Sequence, residues 1–278
     1  MMTKYAVAGR RFRRRVKRST EMKASSRSTL AILALCFIPL LQGQASAPQA
    51  QGSGGGSSLA QQAADPTAPL MAFNLKDDIK ASYYGVPGSG HTFVFQPVIP
   101  FRVWGISNLL RATVNHAITG PAGRGLESVS VFDLLVFGTH WGRWGVGPLV
   151  EFLPREGPGK DTTLAGPAIG AVAVKGKWNL GLFSQNLFGQ SVRFSSLQPV
   201  IAYTFGGGWS LSAGDAQFGI DWAQSKVTSV PIGVQLAKVT TIGGQPIRFF
   251  VNPEYNARNT VGGAHWSVRL ALTILSPL

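Results

Sequence analysis

The sequence predicts an all-β protein, a closed antiparallel transmembrane β-barrel of about twelve strands. Three observations predict it. From about Ala72 to the C-terminus, runs of roughly ten residues alternate apolar with small or polar side chains, each closed by Gly, Pro, Asn or Asp. All seven Trp stand at the ends of these runs. Charged residues make up only 14% of the 278 residues beside 45% apolar ones, a low charge content for a water-facing globule.

The N-terminal part reads as an export signal over 1–47. A basic stretch is followed by the apolar run from Thr29 to Leu41 and then by small residues at Ala45-Ser46-Ala47. That run is well short of the ~20 residues a membrane-crossing helix needs, so cleavage is the expected fate. Pro48 disfavours a cut directly after Ala47, which moves the expected site to Ala45 or a little later. An ordinary signal peptide could begin at Met22-Lys23, which makes Met22 the candidate true start. The single Cys, Cys36, lies in this leader, so no intramolecular disulfide framework is expected.

The net charge of +14 is mostly leader as well. Residues 1–28 hold ten basic residues and one acid, +9 of the total, and the remaining 16 basic and 11 acidic residues leave a dispersed +5. A nucleic-acid surface would gather Lys and Arg on one face, so nucleic acid is not an expected partner.

Residues 48–68 are rich in Gly, Ser and Gln and carry no periodicity over 48–66. They read as a flexible periplasmic segment, or, on a bolder reading, as one that folds back to plug the lumen. The barrel is expected over 69–278. Its strands are predicted at 69–84, 91–104, 109–119, 127–138, 143–154, 163–175, 178–188, 196–206, 209–222, 227–240, 245–256 and 265–276. An even number suits a barrel with both termini in the periplasm. No run in this region reaches 18 uninterrupted apolar residues, which excludes helical spans.

The alternation assigns faces. Trp266, Val268, Leu270, Leu272 and Ile274 fall on one side of the last strand, with Ser267, Arg269, Ala271 and Thr273 on the other. Phe93, Phe95, Ile99, Phe101 and Val103 oppose Gln96 and Arg102, and Ile247, Phe249, Val251 and Tyr255 oppose Arg248, Asn252 and Glu254. The apolar sets are expected to meet lipid. The Trp positions, Trp104, Trp141, Trp144, Trp178, Trp209, Trp222 and Trp266, are those of aromatic girdles, because an indole with an apolar body and one N–H donor suits the headgroup boundary. Pro97, Pro148, Pro167, Pro199, Pro231 and Pro253 oppose this picture, since each removes a ladder donor. They are expected near strand ends or at bulges.

Several segments in order carry a family resemblance: Phe73-Asn74-Leu75-Lys76-Asp77-Asp78, Phe95-Gln96-Pro97-Val98-Ile99-Pro100-Phe101, Val131-Phe132-Asp133-Leu134, Trp141-Gly142-Arg143-Trp144-Gly145-Val146-Gly147-Pro148, Ser196-Leu197-Gln198-Pro199-Val200-Ile201-Ala202-Tyr203, Gly208-Trp209-Ser210-Leu211-Ser212-Ala213-Gly214-Asp215 and Phe249-Phe250-Val251-Asn252-Pro253-Glu254-Tyr255-Asn256. Over about residues 65–278 the chain resembles bacterial outer-membrane transporters grouped with the MetA-pathway phenol-degradation family, some of them misnamed neuromedin U. The prolines recur within those segments. The resemblance implies a β-barrel and uptake of small hydrophobic or aromatic compounds, and it supplies no site residues. The chain departs from the common barrel pattern by ending Leu275-Ser276-Pro277-Leu278 and not in an aromatic residue.

Function must then come from the lumen. Residues of inward parity include Arg102, Arg111, Asn115, Glu151, Gln198, Gln235, Arg248, Glu254 and Arg269. They either pair with one another across a narrow interior or form a constriction whose arginines attract anionic or polar solutes. In the second case Arg111, Arg248 and Arg269 are the first to mutate.

Catalysis finds little support. His91, His116, His140 and His265 stand near Ser89, Ser267 or Asn115, but Asn115-His116, which lies in a strand, is the only pairing to consider, and no Gly-x-Ser-x-Gly elbow is present. No catalytic residue is assigned. The four His are far apart and no Cys-x-x-Cys exists, so neither metal nor cofactor is expected. Gly157-Pro158-Gly159-Lys160 lacks the first Gly of a phosphate-binding loop and reads as an exposed loop. The sequence therefore describes a bacterial outer-membrane barrel that passes or binds small molecules. A structural barrel without flux, and a barrel hydrolase, are the alternatives. The expected partners are outer-membrane lipid, a small solute and the barrel-insertion machinery.

Overall fold

The computed structural model describes residues 58–154, 161–189 and 192–277. The expected leader, the first part of the following segment and the Gly157-Pro158-Gly159-Lys160 loop lie outside the described residues.

A short helix, α1 (Leu59–Gln62), comes first, capped by Ser58, whose side chain accepts from the Gln61 N–H at 3.3 Å. Eight unbroken strands follow: β1 (Leu70–Tyr83), β2 (Gly90–Val103), β3 (Ile106–Thr119), β4 (Gly125–Gly138), β5 (Gly142–Leu153), β6 (Thr162–Lys175), β7 (Trp178–Gly189) and β8 (Val192–Phe205). The ninth stave of the wall is split into β9 (Trp209–Ser212) and β10 (Phe218–Asp221). The tenth is split into β11 (Lys226–Ser229), β12 (Pro231–Gly233) and β13 (Gln235–Ile242). Strands β14 (Gln245–Asn256) and β15 (Ala264–Pro277) complete twelve staves.

Every pairing is antiparallel, and β1 pairs with β15 from Leu70↔Pro277 to Tyr83↔Ala264. The circuit closes through the split stave: β9 bonds to β8 on one side and to β13 on the other, while β10 bonds to β8 and β11. Closure pairs β1–β9 and β13–β15 on both sides, as a sheet surrounded by hydrocarbon requires, while the short β11 and β12 bond to β10 and β14 respectively.

The turns differ at the two ends. At the end shared with the start of β1 they hold two or three residues, as in Trp104-Gly105 and Gly243-Gly244, whose positive φ values of 50° and 80°, and 58° and 83°, are those of tight hairpins. Most connections at the opposite end are longer, including 84–89, 120–124 and 257–263. Short turns at one end and longer loops at the other are the pattern common to outer-membrane-type barrels.

Outward residues such as Leu182 and Leu270 are 50% and 45% exposed, whereas inward Leu134 and Phe183 are 0% and 1% exposed. The interior along β3–β8 is not polar throughout. Leu109, Phe132, Leu134, Leu149, Leu164, Val172 and Phe183 fill it as a packed core, because a barrel of this width brings opposite walls into contact. The polar cavity is lined chiefly from β1, β2 and β13–β15, with Arg111 of β3, Gln198 of β8 and Asp215 after β9 completing it. Charge is not confined to one face either: Asp133 has outward parity between buried Phe132 and Leu134, and outward Asp77 faces His91 at 3.6 Å.

The expectation that the prolines stand near strand ends or bulges is wrong for five of the six. Pro97, Pro148, Pro167, Pro199 and Pro253 lie inside their strands with outward parity, in register with Phe73, Pro167, Pro148, Leu182 and Val268. Only Pro231 begins a strand, β12. Each proline keeps full pairing on one side, and the other side is accommodated locally. Gly147 and Gly166 precede Pro148 and Pro167, and a Cβ on either would overlap the carbonyl of Asp133 or Asn186. The neighbouring carbonyl thus rests over a glycine Cα where no proline N–H can meet it. Asn186 Nδ2 and Asn252 Nδ2 donate to the Pro167 and Pro253 carbonyls at 3.2 and 3.1 Å.

Five Trp, at 104, 141, 144, 178 and 209, ring the short-turn end, and Trp222 and Trp266 stand at the other. Trp144 stacks on Phe137 and Trp178 packs on Tyr203, with centroids 4.6 and 4.8 Å apart. At the loop end Trp266 packs on Tyr255, and Trp222 Nε1 donates to Ser195 Oγ at 2.8 Å.

Candidate functional site

Residues 58–68 pack inside the barrel wall at its short-turn end. Read from the sequence as a flexible segment or as one that folds back into the lumen, this part of the chain forms α1 and the turn after it, and both line the interior cavity. Its anchoring explains why. Gln61 Nε2 donates to the Gly176 carbonyl at 2.9 Å, and Asn179 Nδ2 donates to the Gln61 carbonyl at 2.8 Å. Asp65 accepts from the Thr67 N–H and hydroxyl at 2.8 and 2.6 Å and pairs with Arg143. Ala68, Leu70, Ala72 and Leu275 form a second apolar cluster against Leu59 and Ala63. A polar segment too poor in apolar groups to fold alone is ordered by groups the barrel provides.

Beside this segment lies a cavity of about 120 Å³. Its wall combines Lys76, Arg111, Gln198, Gln235 and Arg248 with apolar Val98, Val200 and Phe250. The split ninth stave shapes it. Residues 213–217 leave the ladder between β9 and β10, at Gly214, whose φ is +70° and whose Cα sits against the Asn252 side chain with no space for a Cβ. The excursion places Asp215 on the cavity wall. Lys76 Nζ pairs with Asp215 Oδ2 at 2.6 Å, and Arg269 Nη1 lies 3.8 Å from the same oxygen. Arg269 Nη2 bonds to Asp78 at 3.2 Å, and Gln198 Nε2 reaches the Gly214 carbonyl and Asp215 at 3.5 Å. Gln235 Nε2 donates to Ser212 Oγ at 3.3 Å. The excursion is thus held by β1 and β15, distant in sequence, and by the nearby strand β8.

Arg111 and Arg248 differ from Lys76 and Arg269. The Arg111 guanidinium lies 4.2 Å from the Phe132 ring centre and 5.2 Å from that of Phe183, and Arg248 lies 5.2 Å from that of Phe250. Among the described residues neither has a carboxylate within 4 Å, and the Nε of each is buried without a hydrogen-bond partner.

Of the residues predicted to line the lumen, Arg111, Gln198, Gln235 and Arg248 meet at the cavity. Arg269 stands beside it as an ion-paired group. Glu254, which accepts from Asn256 Nδ2 at 3.4 Å, and Glu151 face inward nearer the loop end. Arg102 is exposed close to the Trp104-Gly105 turn and does not line the cavity. Sequence reasoning missed Lys76, Asn74 and Asp215. The first two follow from the parity of β1. Asp215 was signalled only by Ala213-Gly214-Asp215, a helix-poor break within a strand run.

The hydrolase candidates are not brought together. Asn115 faces the lumen and donates to Ser128 Oγ at 2.8 Å, so adjacent His116 points the other way. His265 packs between Tyr84 and Tyr255, and no hydrogen bond joins a His to a Ser side chain among the described residues. A shallow apolar furrow lies outside the barrel, bordered by Leu75, Phe93, Leu236 and Phe249.

No protein-family profile and no curated protein matches this chain. Solved structures similar to it include the KdgM porin in complex with disordered oligogalacturonate, at 11% identity and a TM-score of 0.47, covering 73% of this chain and 98% of that one. The COG4313 outer membrane channel from Pseudomonas putida F1 is similar at 12% identity and a TM-score of 0.49, covering 74% and 93%. Outer membrane phospholipase A from Escherichia coli is similar at 11% identity and a TM-score of 0.44, covering 73% and 92%.

Proposed function

We propose that this chain is an exported protein of a bacterial outer membrane whose barrel passes or binds small molecules through its lumen, and that it is not an enzyme. The observation that carries this reading is the cavity: a charged and polar space inside a wall whose outer face is apolar and whose ends carry aromatic girdles. A fold needing only to be anchored in lipid has no use for buried charge around an internal cavity.

The seal formed by residues 58–68 makes the path a gated one. The resemblance of the ordered segments to the phenol-degradation transporters supports small hydrophobic or aromatic compounds as the solute class. Lipid solvates the outer face, the leader directs export and is removed, and the insertion machinery reads the strands during biogenesis.

Purified mature protein tests this in planar bilayers and in liposome swelling with phenolic, sugar and amino-acid solutes in parallel. Measurable conductance and solute entry are expected. A folded, heat-modifiable barrel with neither would favour the structural reading, for which the segment packed inside the wall at the short-turn end is the supporting observation.

A further inference from the structure

The cations around the cavity divide into two kinds. Lys76 and Arg269 have carboxylates: Asp215 at 2.6 Å for the first, Asp78 at 3.2 Å and Asp215 at 3.8 Å for the second. Arg111 and Arg248 have none among the described residues. Both carboxylates that line the cavity are engaged, Asp65 with Arg143 and Asp215 with Lys76. A phenyl ring attracts a guanidinium through its face but offers no strong acceptor for the N–H groups. The buried, unpartnered Nε atoms of Arg111 and Arg248 record the same deficit.

Two guanidinium groups on one cavity, with Arg248 only 7% exposed, repel each other and lose hydration. An apolar side chain at either position would avoid that cost. An anion entering the cavity removes it, because a carboxylate meets a guanidinium through paired N–H···O bonds. The same cavity offers Val98, Val200 and Phe250 to an apolar body.

We propose that Arg111 and Arg248 form the binding site for a small organic carboxylate with a compact apolar body, the carboxylate between the guanidinium groups and the body against Phe250 and Val200. This site rests on the reading of the lumen as a place for small molecules and names the chemistry it selects. Arg269, by contrast, holds the 213–217 excursion in place and is not part of the recognition pair.

The experiment uses the full mature chain in detergent, with benzoate as probe and benzyl alcohol and benzylamine as its neutral and cationic counterparts, measured by calorimetry. Benzoate is expected to bind saturably and the two counterparts at least tenfold more weakly. Arg111→Gln and Arg248→Gln are each expected to weaken benzoate about tenfold or more, the size of a lost charge-assisted contact. Arg258→Gln, in an exposed loop, is expected to change nothing. Heat-modifiable migration verifies that each variant is folded. Benzoate and benzyl alcohol binding alike, or benzoate binding indifferent to both cavity substitutions, overturns the proposal. Bilayer recordings on the same samples separate it from the passage reading. A barrel that binds benzoate without carrying current upholds the site and refutes passage, while one that conducts without preferring benzoate refutes the site alone.

Discussion

Replacing Asp65 by Ala should unlatch the segment packed inside the short-turn end of the barrel. Its side chain is 1% exposed and accepts from the Thr67 N–H, the Thr67 hydroxyl and Arg143, so the substitution removes two local bonds and one charge-assisted pair and leaves Arg143 without its carboxylate. Breaking a fully buried pair costs about 3–5 kcal/mol, and Arg143 retains 25% exposure through which water can solvate it, so the lower end, about 3 kcal/mol, applies. The open fraction of the seal then rises by about a hundredfold. Asn179→Ala removes a single bond to the Gln61 carbonyl, worth about 1 kcal/mol and about a fivefold rise. Open probability in planar bilayers measures the first quantity, and proteinase K cleavage within residues 58–68 of the folded barrel provides an independent one. The reasoning is refuted if Asp65→Ala matches wild type in both assays, or opens no further than Asn179→Ala.

Four other outcomes follow from the geometry. Leu182→Arg, on the outer face near the middle of β7, should destabilise the barrel in lipid vesicles by about 2–4 kcal/mol by urea unfolding, as a midplane charge does. Leu134→Ala, inside the packed half, should cost about 2–5 kcal/mol through loss of burial and the cavity it leaves. Gly147→Val and Gly166→Val should reduce the folded fraction on heat-modifiability gels, since the Asp133 and Asn186 carbonyls occupy the space a Cβ needs. Lys76→Met should be more damaging to stability than Lys76→Met with Asp215→Leu, because the single change strands a carboxylate that the double change removes; a double-mutant cycle in urea reads the difference.

Much of the wall was legible because a membrane strand obeys only two rules, a period of two and paired backbone groups. These rules suffice to place Trp266, Val268, Leu270, Leu272 and Ile274 outward and Arg248, Asn252 and Glu254 inward. They also put the Trp residues at the two rims. The same rules misjudged the prolines, since they treat each strand alone. Pro148 and Pro167 are tolerated in mid-strand because they face each other and because Gly147 and Gly166 let the flanking strands approach, a property of two hairpins jointly. Parity also cannot tell Arg102, at the rim, from Arg111, at the cavity, because depth along the axis depends on the stagger between strands.

By itself, then, the sequence determined that an alternating chain would close into a cylinder with a lipid-facing exterior, and roughly where its twelve staves run. Tertiary structure alone decided what the cylinder contains. Whether Asp215 meets Lys76, 139 residues away, or Gln61 meets Asn179, 118 residues away, is fixed by register and closure, which act between strands and leave no periodic trace in any one of them. The division of the arginines into paired Arg269 and unpaired Arg111 and Arg248 has the same origin, because pairing depends on which carboxylates the opposite wall carries within reach.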